Sequence, residues 1–173
     1  ANVAILTNAG GPGVLAADAC ESMGLKVPPL SEDTQKRLRE FLPESAAVLN
    51  PVDMIATAPP ESFKRSLKII LEDPSIDSVI VIYIPPMVTK PQDVARSVDE
   101  ALMGYVGGKP VITCFMMSQA TMEGLRKETG LRPFTFPENA VQALSLAYSY
   151  ARYKEMPEGS VVRFPSIDRE KAR

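Results

Sequence analysis

The chain has 173 residues, of which 45% are hydrophobic and 23% are charged, as in a typical globular domain with one core. Its formal net charge is −2 and it contains no basic tract, which argues against a nucleic-acid partner. The histidine count is zero, which excludes Ser-His-Asp and Cys-His nucleophile pairs, histidine general bases and most zinc sites, so no metal site is predicted.

The expected location is the cytoplasm, without membrane contact. The longest apolar run covers residues 79–84 and ends at two prolines, far below the roughly 20 residues that cross a bilayer. The amino terminus does not have the pattern of a signal peptide. Cys20 and Cys114 lie in separate apolar segments, which predicts two core thiols in a reducing compartment.

The first predicted strand, Val3–Thr7, is a continuous apolar run that stops at a glycine cluster. Pro12 stands where a helix begins, and a mostly buried helix is expected over 14–23, with a solvated stripe at Asp18, Glu21 and Ser22. A brief strand is then expected at 25–27. Next comes a helix capped by Ser31, with Glu32 and Asp33 in its first turn.

The rest of the chain also alternates strands with helices. The predicted strands lie at 47–49, 79–84, 111–116 and 134–136. Two helices are predicted from apolar stripes within residues 63–71 and 94–105, and two more begin at Ser118 and Pro137. Because the strands are apolar throughout, the pattern indicates a doubly wound α/β domain with a mostly parallel, flavodoxin-like sheet over residues 1–155. Residues 156–173 have no matching core face and are predicted to be a linker.

In such sheets a ligand binds beyond the carboxyl ends of the strands, where the strand order reverses. The sequence places two loops there, 8–13 after the first strand and 50–53 after the third.

The first of these loops is predicted to bind phosphate. Its glycines allow a close backbone approach, and the helix behind it points free N–H groups and its positive dipole end outward. The predicted phosphate-binding residues are Asn8, Gly10, Gly11, Gly13 and Val14. The alternative is that the glycines only make the turn from strand to helix.

A dinucleotide site is a further alternative at the same loop. Residues 11–16 fit the G-x-G-x-x-A fingerprint, with Glu32 or Asp33 at the distance of a ribose ligand. Pro12 between the glycines is unusual for that motif, and both acids already suit a helix N-terminus.

The second loop carries an amide and a carboxylate next to a proline. Asn50 and Asp53 are candidates for orienting a ligand or a metal-bound phosphate, and an Asx-type turn is the equally good structural alternative. Met87, Met116 and Met117 are candidates for a surface that docks other domains.

Four segments together resemble the NDP-forming acyl-CoA synthetases, the ADP-forming acetyl-CoA synthetases related to succinyl-CoA synthetase. They are residues 3–18 (VAILTNAGGPGVLAAD), 42–43 (LP), 50–53 (NPVD) and 109–111 (KPV). The resemblance covers residues 2–153 and concerns one part of that family, its flavodoxin-like ligase domain.

The resemblance implies an acid-thiol ligase that converts acyl-CoA, phosphate and ADP to acid, CoA and ATP through a phosphohistidine. It implies that the helix starting at residues 11–14 holds the phosphoryl group, while a CoA-binding, phosphohistidine-bearing domain supplies the nucleophile. This chain then has no catalytic residue of its own and is inactive alone. ADP or ATP, CoA and Mg bind mainly to other domains, and residues 156–173 lead towards an ATP-grasp domain.

The resemblance leaves another class of function open. Some members of the family are fused to an acetyltransferase, so a non-catalytic scaffold or regulatory domain is the alternative to the synthetase.

Overall fold

A parallel four-stranded sheet forms the centre of the computed structural model, which describes residues 1–159. Its strands are β1 (Val3–Thr7), β2 (Val52–Asp53), β3 (Ser78–Tyr83) and β4 (Val111–Phe115), in the order β2-β1-β3-β4. Every neighbouring pair is parallel. The predicted α/β fold with a mostly parallel sheet is confirmed.

Within the described residues, six helices cover the two faces of the sheet. They are α1 (Gly10–Ser22), α2 (Glu32–Arg39), α3 (Pro60–Glu72), α4 (Pro91–Leu102), α5 (Gln119–Glu128) and α6 (Pro137–Glu155). Alternate side chains of β1 reach opposite faces: Val3 and Ile5 pack with α1 and α6, whereas Ala4 and Leu6 pack in the larger cluster with α2 to α5. All residues of β1 and β3 are buried, which explains their continuous apolar sequence.

Both thiols belong to this core, as predicted. Burial raises the pKa of Cys20 to about 11 and that of Cys114 to about 12, so both stay protonated and unreactive at neutral pH. The predicted solvated stripe of α1 is also confirmed, because Asp18, Glu21 and Ser22 are exposed.

Three predicted strands are shorter than expected. Segments 25–27, 47–49 and 134–136 each form a single bridge, through Lys26, Ala47 and Phe134. The Asn50 side chain explains why segment 47–49 does not form a longer strand beside β1. Its Oδ1 accepts from Ile5 N (2.9 Å) and its Nδ2 donates to Val3 O (2.9 Å). An amide side chain thus takes the place of a strand beside the first half of β1.

A buried carboxylate ties α2 to the end of α3. Asp73 is 1% exposed and accepts hydrogen bonds from Ser31 N (2.8 Å), Ser75 N (2.9 Å) and Ser75 Oγ (2.6 Å). Burial opposes the charged form, but these hydrogen bonds outweigh it and hold the pKa of Asp73 well below its usual range. Because Asp73 shortly precedes β3, the start of α2 lies at the amino edge of the sheet.

The residues that follow α6 are those for which a linker, 156–173, is predicted. Residues 156–159 are neither helix nor strand, and 160–173 lie outside the described residues, so the linker stays a prediction. Of the helices in the described part, none has both the length and the apolar character that a membrane span requires.

Candidate functional site

Two loops meet at the carboxyl edge of the sheet where the strand order reverses. From β1 the chain crosses to β2 on one side, while β3 and β4 lie on the other. The crevice therefore lies between the loop after β1, at residues 8–9, and the loop after β3, at residues 84–90. The prediction that loop 50–53 follows the third strand and forms the second wall was wrong, because that segment runs into β2 on the other side of β1, although its Asp53 still lies beside Gly10.

Asn8 joins these two loops. Its Oδ1 accepts from Ile84 N and its Nδ2 donates to Ile84 O, both at 2.9 Å. The side chain is 2% exposed, so the pair is shielded from water. Asn8 thus fixes the width of the crevice, and any contact with a ligand would have to use its second Nδ2 hydrogen.

We expect Asn8→Asp to destabilise the chain by about 2 kcal/mol, because a buried carboxylate oxygen would then face the Ile84 carbonyl. Urea denaturation measures the loss. Asn139→Asp, at an exposed asparagine in the first turn of α6, is the matched control and should cost less than about 0.5 kcal/mol. Equal losses in the two variants would contradict the role given to Asn8.

Helix α1 begins with two free amides. Thr7 Oγ1 contacts both Ala9 N and Ala9 O at 3.0 Å and so fixes the residue that precedes the helix. No side chain caps α1, and its first turn contains no acidic residue. Within residues 1–159 the N–H groups of Gly10 and Gly11 have no acceptor, and both glycines are exposed. These two amides and the helix dipole form an anion-binding end.

The other predicted donors are placed differently. Gly13 is buried and its N–H bonds Ala9 O at 3.4 Å, while Val14 lies one turn into the helix, where its N–H meets the helix's own carbonyls. A Cβ on Gly13 would lie 3.2 Å from Thr7 Cγ2 and 3.5 Å from Pro51 Cβ. Gly13 therefore allows α1 to approach the sheet, and the accessible donors are those of Gly10 and Gly11.

Gly13→Ala is expected to destabilise the chain by about 1 kcal/mol, because its methyl group would lie 3.2 Å from Thr7 Cγ2 and the packed neighbours would have to shift by a few tenths of an ångström. The same substitution at Gly124 is the matched control: it lies inside α5 with open space around its Cβ and should stabilise by about 0.5 to 1 kcal/mol. Thermal unfolding separates the two. Stabilisation by both alanines would show that Gly13 is not a packing glycine.

Asp53 places a carboxylate beside the free amides. Its Oδ1 accepts from Ile55 N at 2.9 Å, which is the Asx-type turn weighed above. Its Oδ2 faces Gly10, where a Cβ would lie 3.1 Å away. Ile55 has φ 64°, a strained value for a β-branched residue. The negative charge next to Gly10 favours a ligand that brings a proton donor together with its anionic group.

The other ligand-orienting candidate, Asn50, is used inside the fold. Besides its two bonds to β1, its Nδ2 donates to Pro28 O at 2.7 Å, so all its hydrogens are engaged. It also lies beside the first half of β1, whereas Gly10 and Gly11 follow the end of that strand. The structure gives Asn50 a structural role in place of the predicted one.

The rim of the crevice is apolar. Met87 and Val88, in the loop after β3, are fully or largely exposed, and so are Val14 and Leu15 on the first turns of α1. Met116 and Met117 are partly buried against the core. An exposed apolar rim around free amides suits contact with another protein surface more than contact with water.

Comparisons with known proteins give consistent matches. Residues 3–155 match the family described as the Ligase-CoA domain. The alpha subunit of the ADP-forming acetate–CoA ligase II of Pyrococcus furiosus is 41% identical over 164 residues, which cover 92% of this chain and 35% of that protein. The ADP-forming acetate–CoA ligase I of Archaeoglobus fulgidus is 36% identical over 173 residues, which cover 99% of this chain and 24% of that protein.

Solved structures agree with these matches. A protein of Pyrococcus horikoshii OT3 superimposes with a TM-score of 0.81 at 38% identity, covering 90% of this chain and 37% of that one. The dinucleotide-forming acetyl-coenzyme A synthetase 1 of Candidatus Korarchaeum cryptofilum, in complex with phosphate and ADP, superimposes with a TM-score of 0.79 at 27% identity. The match covers 91% of this chain and 36% of that one. The chain thus spans between about a quarter and somewhat more than a third of the proteins it matches.

Proposed function

The chain belongs to the Ligase-CoA domain family, and on that premise we propose that it is the phosphate-cradling domain of an ADP-forming acyl-CoA synthetase. The observation that carries the proposal is the pair of free amides, Gly10 and Gly11, at the start of α1. Support comes from relatives named as ADP-forming acetate–CoA ligases and from a structural neighbour in complex with phosphate and ADP.

In this proposal the amides of Gly10 and Gly11 stabilise the charge of a phosphoryl group, which arrives on a histidine of another domain. Preorganised N–H groups lower the energy of a transferring phosphoryl group without reorganising, because Thr7 and Asn8 already fix the loop. Asp53 Oδ2 accepts the imidazole N–H of the phosphohistidine. This contact removes the repulsion that a bare phosphate would meet beside Gly10.

The partners follow from the same proposal. A CoA-binding domain bears the histidine and docks against the apolar rim of Met87, Val88, Val14 and Leu15. An ATP-grasp domain supplies most contacts to ADP, and CoA and Mg also bind mainly outside this chain. A cytoplasmic location and a linker at 156–173 complete the proposal.

A dinucleotide site fits the geometry poorly. Glu32 and Asp33, the predicted ribose ligands, follow Ser31, which bonds Asp73 at the amino edge of the sheet. Gly10 and Gly11 lie at the carboxyl edge, so the acids and the glycines do not face one crevice. Gly13, which the fingerprint would bring to the pyrophosphate, is buried against Thr7.

Amide NMR of the chain, titrated separately with phosphate, a phosphohistidine-mimicking peptide and NADH, tests the proposal. We expect saturable shifts at Gly10 and Gly11 with the two phosphate probes, and tighter binding of the peptide because its ring N–H meets Asp53. Gly108 and Gly159 serve as internal controls, since both lie outside this site. Shifts with NADH alone would contradict the proposal, and no shift with any probe would favour the scaffold function.

A further inference from the structure

A second binding surface lies at the outer edge of the sheet, beyond β4. Phe134 pairs with β4 through two hydrogen bonds of 2.8 Å, from Phe134 N to Thr113 O and from Phe115 N to Phe134 O. Phe136 is also extended, with φ −126° and ψ 143°. Residues 133–136 therefore add one bridged position to the sheet, at Phe134, and the chain bends at Thr135 and Phe136 before α6 begins.

The outer side of this segment offers backbone groups for pairing. Both backbone groups of Phe134 are used by β4, so pairing with a further segment would have to use the groups of its neighbours. Pro133 O accepts from Arg126 Nη2 at 3.2 Å, whereas Thr135 N–H and C=O have no partner within residues 1–159. An unpaired donor and acceptor next to a bridged edge residue are groups with which an added segment can pair.

A groove of about 500 Å³ runs along the same edge, within the size range of specific binding sites. Its lining joins the end of α5 to the start of α6 and includes Arg126, Arg132, Asn139 and Phe136, whose side chain is 55% exposed. Both charged residues of the lining are arginines.

These arginines are fixed and keep free donors. Arg132 Nη1 donates to the carbonyls of Arg126, Thr129 and Leu131, which anchors the guanidinium at the end of α5. Its Nη2 and Nε have no acceptor among the described residues, and Arg126 Nε is buried without one. The unsatisfied groups are thus mainly donors, which carboxylates would satisfy.

We infer that the 133–136 edge and its two arginines bind an acidic, extended segment of a partner polypeptide, which adds as a strand beside Thr135. Pairing of two copies of this chain is disfavoured, because their Arg126 and Arg132 side chains would meet across the edge. Pro133 and Pro137 limit the edge to a few residues, so the partner contributes a short strand. This surface is separate from the free amides of α1, and the inference does not depend on the proposed function.

The probe for the test is a short peptide of alternating Glu and Val, followed by amide NMR of the 173-residue chain. We expect saturable shifts at Thr135 and Phe136, with amide exchange of Thr135 slowed about tenfold or more near saturation. A peptide of the same sequence with methylated backbone nitrogens should lose about tenfold or more in affinity, since it cannot donate to the edge. This control needs no change in the protein.

Variants test the charge. Arg132→Gln should weaken binding about threefold to tenfold. Lys127→Gln, at the exposed basic neighbour of Arg126 that does not line the groove, should change it less than about twofold. The inference is overturned if a peptide of alternating Lys and Val binds as tightly as the Glu and Val peptide. It is also overturned if phosphate alone reproduces the amide shifts at Thr135 and Phe136. Absence of saturation below about 1 mM peptide would overturn it as well.

Discussion

Gly11→Asp is expected to reduce phosphate binding, and the activity of the proposed synthetase, by at least about 100-fold, because it places a carboxylate in front of the two free amides. The same substitution should not harm the fold. A Cβ at Gly11 has no neighbour within 4 Å, and an acid in the first turn of α1 should add about 0.5 kcal/mol of stability through the helix dipole. Binding and stability thus change in opposite directions.

Gly11→Asn is the matched control for charge, and Gly11→Ala is the control for the added side chain. We expect both variants to bind phosphate within about fivefold of the unmodified chain, since the N–H groups remain and no charge is added. The measurements are an NMR titration for affinity and urea denaturation for stability. If Gly11→Asn and Gly11→Asp weaken phosphate binding equally, the size of the new side chain and not its charge is responsible for the loss. If neither variant affects binding, the anion does not sit at α1.

Asp73→Asn is expected to destabilise the chain by about 2 to 4 kcal/mol at neutral pH, because its new amino group would face an N–H donor in a buried site. The carboxylate of Asp73 accepts three hydrogen bonds, from Ser31 and Ser75, and joins the start of α2 to the end of α3. Its loss would loosen the amino edge of the sheet. The crevice at the carboxyl edge should keep its phosphate affinity in the molecules that remain folded.

The loss of stability caused by Asp73→Asn should become smaller as the pH falls. The pKa of Asp73 is lowered in the folded chain, so its stabilisation is complete above the unfolded pKa of about 3.9 and is lost as the pH falls below it. The difference between the unmodified chain and Asp73→Asn should therefore shrink towards about pH 2. Glu72→Gln, whose exposed carboxylate pairs with Arg37, is the control and should cost less than about 1 kcal/mol. If the difference in stability between the unmodified chain and Asp73→Asn does not depend on pH, the charge of the Asp73 carboxylate does not stabilise the fold.

Local sequence predicted the class of fold because burial on both faces leaves a direct mark on each strand. Residues 3–6 and 79–84 are apolar throughout, and that pattern alone indicates parallel strands covered by helices. The glycine cluster after β1 likewise marks a close backbone approach. Its use as a phosphate site stays a prediction.

The second wall of the crevice could not be predicted in the same way. The sequence suggested loop 50–53, yet Asn8 contacts Ile84, which is 76 residues away in the chain. The strand count misled the prediction, since segments 25–27 and 47–49 make only single bridges and the third strand of the sheet is β3. Sheet order depends on pairing between distant segments, and no local pattern encodes it.

The sequence by itself therefore determined the α/β class, the order of most elements, the glycine-rich start of α1 and, through its motifs, the resemblance to a family. Only the tertiary structure decided the use of each glycine: Gly13 packs against Thr7 and its N–H bonds Ala9 O, whereas Gly10 and Gly11 keep free N–H groups at the exposed start of α1. It also turned Asn50 into a substitute for a strand, separated Glu32 from the glycines and brought Arg126 and Arg132 to an open edge. Propensity and periodicity act over one or two turns of chain, whereas free donors and acceptors are fixed by contacts between segments far apart in sequence.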